Sequence, residues 1–317
     1  MAFLYYLIYI AKREKMKYFV AIPTYNGGDV WKVVAEKIKS YGPDELYVQI
    51  IDSGSEDGTA EIAKGLGFDT MNIDAKDFNH GGTRNQAVKV NADRFDIVIF
   101  LTQDAIPESG FIERIVSVFD DPGVACAYGR QLPHLDANPL AQHARYFNYP
   151  GQSHIYSISD SKKMGLKTVF MSNSFSAYRI DVLQQLGGFP SDTILCEDMY
   201  FTAKAVLAGY KVAYVSEAVV RHSHNYSAVE EFKRYFDIGV FHADEPWIRE
   251  KFGGAGGEGK KFIFSELRFL LKHGIAYIPF AFINNFMKIA GYKLGQKYKR
   301  IPSVLVKNFS MHKRYWN

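Results

Sequence analysis

The stretch KYFVAIPTYNGG at residues 17–28, followed by LYVQIIDSGSEDGT at 46–59, decides the fold. Tyr18–Ile22 and Leu46–Asp52 are compact apolar runs rich in β-branched residues. Each ends abruptly in small and polar residues, the signature of a buried strand running into a loop. Val30–Ser40 and Thr59–Lys64 have helical spacing, and a further helix, Thr83–Asn91, precedes a third strand at Ile97–Leu101. Strands alternating with helices predict a parallel sheet with crossover helices, and ligands bind beyond the carboxyl ends of such strands. That rule selects three loops: Pro23–Gly28, Asp52–Gly58 and Thr102–Pro107.

Each loop has usable chemistry. Pro23 stops the sheet ladder, while Thr24 and Tyr25 offer hydroxyls and an aromatic face to a nucleobase. Asp52 at the second strand end can accept the imide N–H of a uracil or thymine. Gly54 and Gly58 let backbone approach a ligand, and the helix start that follows favours negative charge. Phe78–Asn85 reads as a Gly-Gly loop opening a helix, where backbone N–H groups near Gly82 and the guanidinium of Arg84 can meet a phosphate. Read separately, each also fits an ordinary turn, a capped helix start or a surface salt bridge.

Three further groups supply charge. Thr102-Gln103-Asp104 ends the third strand and, read alone, is an ordinary loop carrying one carboxylate. Cys196-Glu197-Asp198 opens a helix, whose dipole keeps a carboxylate ionised and ready to take a proton. Neighbouring side chains on a helix point apart, so Glu197, expected on the acceptor side, need not share the role of Asp198. His222 and His224 stand two apart on an extended segment and point to the same side; either can complete a metal shell.

Ile22-Pro23-Thr24-Tyr25-Asn26 followed by Asp52-Ser53-Gly54-Ser55-Glu56-Asp57-Gly58-Thr59 resembles glycosyltransferase family 2, of the GT-A fold. The resemblance implies that Thr24, Tyr25 and Asp52 hold the nucleoside, that Thr83-Arg84-Asn85 matches a family motif, and that Asp198 is the catalytic base. It also implies an Asp-x-Asp at the third strand end, with the first Asp on the ribose and the last on a divalent metal, Mg²⁺ or Mn²⁺. Here Thr102 replaces the first, while Asp104 keeps the metal position. The string Phe78–Asn85 is similar to the rhamnosyltransferase branch that builds bacterial surface polysaccharides.

Hydrophobic residues make up 47% of the 317-residue chain and charged residues 23%, which excludes a disordered protein. Two cysteines, Cys126 and Cys196, give neither a disulfide framework nor a metal cluster and indicate a reducing compartment. The net charge of +4 conceals an asymmetry: ten Lys/Arg and no Asp or Glu follow Glu266, so the first 266 residues carry −6. A basic tail seeks an anionic partner, and no nucleic-acid motif accompanies it. His273–Met287 is apolar, contains Pro279, Asn284 and Asn285, and falls short of the roughly 20 residues of a spanning helix. It suits a helix lying in a membrane interface, or one packed on the catalytic body with a basic face outward. Residues 2–11, AFLYYLIYIA, are also too short to span, and their positive charges follow the run, unlike a signal peptide. They read as an extension upstream of Met16 or a short interfacial anchor.

The expectation is therefore an α/β chain. A GT-A domain with a mostly parallel, helix-flanked sheet occupies residues 16–225, followed by a helical basic region over 226–317. The expected activity is inverting transfer of a sugar, L-rhamnose from dTDP-L-rhamnose, to a polyprenyl-diphosphate-linked glycan at the cytoplasmic face of the membrane. The alternatives are a UDP-hexose donor and a non-catalytic nucleotide-sugar-binding scaffold. A nucleotidyltransferase is disfavoured because Pro23–Gly28 has no Lys or Arg.

Overall fold

The computed structural model describes residues 16–254 and 257–316, so the run at 2–11 lies outside the described residues. Strands β1 (Tyr18–Thr24), β2 (Val48–Asp52), β3 (Asp69–Asn72) and β4 (Ile97–Leu101) pair in parallel in the order β3-β2-β1-β4. Helices α1 (Gly28–Tyr41), α2 (Thr59–Gly65) and α3 (His80–Asn91) make the crossovers. Period-two alternation buries both faces. Phe19, Ala21, Val98 and Phe100 enter one core, whereas Val20, Ile22, Ile97 and Ile99 enter the other with Trp31 and Val34 of α1.

Beyond β4 the sheet is mixed. The strands there are β5 (Ile106–Pro107), β6 (Val124–Leu132), β7 (His154–Tyr156), β8 (Phe175–Arg179) and β9 (Lys211–Arg221). β8 lies antiparallel between β4 and β6, and β6 pairs in parallel with β9. The parallel character expected for the whole sheet therefore belongs to its first half. Val212–Val215 and Val219–Arg221 belong to one strand, β9, whose register against β6 shifts opposite Gly129 and Arg130. A local irregularity of this kind lets a strand bend without ending.

The C-terminal region shares the core. Along α4 (Pro139–Asn148), α5 (Glu197–Leu207) and α6 (Ala228–Asp244), apolar side chains turn toward the sheet, and Phe236, Val240 and Phe241 of α6 join the Phe19 cluster. Helices α7 (Glu258–His273) and α8 (Ile278–Gly295) follow. The Gly-rich stretch at 253–259 lies partly outside the described residues, and its last two residues begin α7. α8 meets α6 backbone to backbone: a Cβ on Gly291 or Gly295 would lie 2.2 or 2.0 Å from the carbonyl oxygens of Phe232 and Phe236.

Candidate active site

The loops after β1 and β2 are laced together. Asp52, 2% exposed, accepts from the Thr24 hydroxyl at 2.8 Å, the Ser55 hydroxyl at 2.6 Å and the N–H groups of Gly54 and Ser55 at 3.1 and 2.8 Å. Asn26 adopts a φ of +46° and exchanges bonds with the second loop: its N–H donates to Ser55 Oγ, and its Oδ1 accepts from the Glu56 N–H, both at 2.9 Å. The Gly27 and Gly28 N–H groups donate to Thr59 Oγ1 and Asp57 Oδ2, each at 2.8 Å. The third loop is clasped on by Gln103, whose Oε1 accepts from the Tyr25 N–H at 2.8 Å and whose Nε2 donates to the Tyr25 carbonyl at 3.1 Å. Pro23 is held in β1 opposite Ile51. The Tyr25 ring stays 43% exposed and is left to face a ligand.

The Gly-Gly segment has a different place from the one expected. Helix α3 already begins at His80, and the Gly82 N–H donates to the cap residue Asn79 at 2.7 Å. Gly81 permits close packing, because a Cβ there would lie 1.9 Å from the Pro190 carbonyl oxygen. Arg84 is 4% exposed; its Nη1 lies 3.0 Å from Glu197 Oε1 and donates to the His80 carbonyl at 2.8 Å. Glu197, 5% exposed, also accepts from Asn173 Nδ2 at 2.8 Å. Arg84 and Glu197 thus form a buried pair beneath the cleft, and neither presents its charge to a phosphate or an acceptor. Taking either charge from water is costly without the other, which explains the pairing.

Asp104, His222 and His224 converge. β5 pairs antiparallel with the end of β9, Ile106 opposite Arg221 and Pro107 opposite Val220, which brings the Asp104 loop beside the histidines. Asp104 Oδ2 lies 3.4 Å from His222 Nε2 and 3.5 Å from His224 Nε2. Two ligand atoms each about 2.1 Å from one cation, roughly 100–110° apart, stand about 3.3 Å from each other, so the spacing fits a divalent ion. The supporting bonds fit as well. Arg145, a donor only, directs Nη1 at Gln131 Oε1 at 2.6 Å, and His222 Nδ1 shares that oxygen at 2.9 Å. With its proton on Nδ1, His222 would leave Nε2 free to ligate a cation, the arrangement of a metal-ligating histidine. Burial, reinforced by His222, depresses His224 to about 4, which keeps it neutral.

Asp198 occupies the first turn of α5, behind Cys196, whose φ of +61° is rare for a side-chain-bearing residue and typical of functional sites. Its Oδ2 accepts from the Asn173 N–H at 3.0 Å and its Oδ1 from its neighbour Met199 at 2.7 Å. Burial, then the charge of Glu197, pushes Asp198 up to about 7, while Arg84 holds Glu197 down against burial. Two adjacent carboxyls with divergent acidities divide naturally into a proton acceptor and a permanent anion.

Four residues here escaped sequence reasoning. Asn173 bonds both acids and accepts from Ser176 Oγ and Tyr178 Oη at 2.8 and 2.7 Å. Gln131 and Arg145 orient His222. Arg234 of α6 has its guanidinium 6.0 and 5.8 Å from the rings of Tyr226 and Tyr235, with no hydrogen-bond or ion-pair partner among the described residues. Its charge acts on His224 and Cys196. No sequence signal marked Arg234, because the rings and charges around it come together only once the chain is folded. Thr102 lies between β4 and Asp104, its N–H donating to the Ser174 carbonyl at 3.3 Å.

Comparison with known proteins agrees with this geometry. Residues 16–236 match the profile of "Glycosyltransferase like family 2". The chain is 56% identical over 306 residues, 95% of its length and 96% of the relative's, to the O-antigen chain rhamnosyltransferase RfbN of Salmonella typhimurium. It is 51% identical to the O-antigen chain rhamnosyltransferase WbaN of Salmonella anatum, covering 93% of this chain and 94% of that one. Among solved structures, the mannosyltransferase PcManGT of Pyrobaculum calidifontis, in complex with GDP-Man and Mn²⁺, superposes with a TM-score of 0.56 at 17% identity, over 99% of this chain and 92% of that one, and shows the shared GT-A fold. The chain belongs to glycosyltransferase family 2 and is a glycosyltransferase.

Proposed function

We propose that this enzyme transfers L-rhamnose from dTDP-L-rhamnose, with inversion, to a lipid-linked glycan in O-antigen synthesis. The single observation that carries the chemistry is the half-buried Asp198, raised toward neutrality, with Arg234 acting both on its neighbour Cys196 and on His224 of a two-histidine, one-carboxylate cluster. Full-length similarity to two O-antigen rhamnosyltransferases supports the sugar and the pathway.

In this reading Tyr25, Thr24, Pro23 and Asp52 receive the pyrimidine nucleoside, with Gln103 and Thr102 fixing the loop around it. Asp104, His222 and His224 hold a divalent ion, Mg²⁺ or Mn²⁺, which would supply positive charge against the diphosphate. Arg234, with no ion-pair partner within 4 Å among the described residues, would face that same negative charge, and preorganised cations of this kind stabilise a leaving group as it forms. Asp198 takes the proton of an acceptor hydroxyl while that oxygen forms a bond to the anomeric carbon. The bond from that carbon to the diphosphate oxygen breaks, and the nucleoside diphosphate leaves with the electron pair. One displacement inverts the centre. Arg84, Glu197 and Asn173 position the base and touch no substrate.

No helix among the described residues is long and apolar enough to cross a membrane. α7 and α8 nevertheless expose Phe264, Leu271, Phe280, Phe282 and Phe286, the last 69% exposed, and the turn between them exposes Ile275. Arg268, Lys272 and Lys293 lie exposed on the same helices. An apolar face rimmed by cations suits the anionic inner surface of the cell membrane, where a lipid-linked acceptor is presented from the cytoplasmic side. Lys288 does not contribute, being paired with Glu231 at 3.1 Å.

Incubating the protein with dTDP-L-rhamnose, UDP-glucose, UDP-galactose and GDP-mannose, with Mg²⁺ or Mn²⁺, tests the donor. Release of dTDP alone is expected; release of UDP alone would replace the rhamnosyl reading with the UDP-hexose one, and no release would favour a scaffold.

A further inference from the structure

The segment after Ser310 crosses to the nucleoside loops, far from the part of the chain that carries the family match. Asp237, fully buried on α6, anchors it: Oδ2 accepts from the N–H groups of Met311 and His312 at 2.9 and 3.2 Å. The His312 ring then meets His80 edge-on at 5.0 Å. On the far side, Tyr315 Oη donates to the Asp192 carbonyl at 2.8 Å, and Trp316 packs on Tyr298 with ring centres 5.4 Å apart. Arg314 is suspended between these anchors. Its guanidinium sits 5.3 Å from the centre of the exposed Tyr25 ring and donates to the Ala75 carbonyl at 3.4 Å. Ala75 belongs to the segment that leaves β3 beside Asp52, whose carbonyl accepts from the Ile73 N–H at 2.8 Å.

Arg314 has no carboxylate partner among the described residues, so a full positive charge stands at the rim of the proposed nucleoside pocket, beside the exposed Tyr25 ring. The first and second loops that form this pocket contain no Lys or Arg. A guanidinium is weakly hydrated, stacks on aromatic faces and donates to several oxygens at once.

We propose that Arg314 is a donor-binding residue, carried to the nucleoside pocket by the 310–316 strap and contacting the nucleoside diphosphate beside Tyr25. This rests on the assignment of Tyr25 and Asp52 to the nucleoside. Arg314 holds the donor and leaves the chemical step to Asp198. Loss of its contact therefore weakens ground-state and transition-state binding alike and raises KM without lowering kcat. Arg314 is exposed, so its removal leaves the fold intact.

The test compares full-length wild type, Arg314→Ala, Arg314→Lys and Tyr315→Phe by calorimetric titration with dTDP and with UDP, alongside donor kinetics and thermal unfolding. Arg314→Ala is expected to weaken dTDP binding and raise donor KM about tenfold, in the range of a lost charged hydrogen bond, with kcat within about twofold and Tm unchanged. Arg314→Lys should recover part of the affinity. Tyr315→Phe, which loosens the strap while keeping the arginine, should weaken dTDP less than Arg314→Ala does. Unchanged dTDP affinity in Arg314→Ala overturns the proposal while leaving the pocket assignment standing. Tighter binding also overturns it, since Arg314 would then block the Tyr25 face. Wild type that binds neither dTDP nor UDP would sink both this proposal and the nucleoside assignment.

Discussion

Asp198 shows how one residue acquires a function from its neighbours. The helix start and two N–H donors favour its anion, but burial and the adjacent Glu197 win and raise it to about 7. A base works deprotonated, so turnover should be full above that value and fall as pH drops through it. A kcat profile from pH 5.5 to 8.5 reads this directly, and a flat profile would exclude Asp198 as the titrating base. Asp198→Asn should lose 10²–10⁴-fold in kcat, the usual worth of a general base, with dTDP affinity retained; near-normal kcat would remove it from the mechanism. Glu197 behaves oppositely. Glu197→Gln strips Arg84 of its counterion and should cost about 3–5 kcal/mol, visible as an earlier urea midpoint. A midpoint equal to wild type would return Glu197 to the acceptor role expected from sequence.

Among elements, the α6–α8 crossing links stability to the site. Gly239 on α6 and Gly291 and Gly295 on α8 allow backbone contact there, and α6 carries both Arg234 and the strap anchor Asp237. Gly295→Val would push α8 off the Phe236 carbonyl, a kind of overpacking that costs about 1–3 kcal/mol. Thermal unfolding should show a Tm lowered by several degrees, together with weaker metal-dependent activity from a displaced Arg234. An unaltered Tm would mean that the helices do not meet through these glycines. The sequence shows G-x-x-x-G at 291–295 without showing what it packs against.

Across the whole molecule, charge and apolar surface are segregated. The exposed phenylalanines of α7 and α8 lie with exposed cations, while the body carrying the cleft is acidic. Flotation with vesicles containing anionic phospholipid should carry the wild type upward at low salt, less so at 0.5 M salt, and little with purely zwitterionic vesicles. Phe282→Asp combined with Phe286→Asp should abolish flotation and leave dTDP binding intact. If wild type fails to float on anionic vesicles, membrane attachment through this face is excluded.

The first half of the sheet was legible because each strand is a contiguous run whose local pattern suffices, and the loops that follow are fixed by where those runs stop. Asp52, Asp104, Asp198, His222 and His224 could be named as candidates because each stands near the end of a strand or the start of a helix that the pattern locates, and the family resemblance gave Asp104 and Asp198 their expected roles. The region between about 119 and 187 yielded no elements, because β6 and β8 gain meaning only from antiparallel partners distant in the chain. Pairings across such distances were the province of the tertiary structure alone. It gave Arg84 to Glu197 across 113 residues, set Gln131 behind His222, and carried Arg314 to Tyr25. A charged side chain takes its role from the charge it meets, and only the folded chain brings the two together.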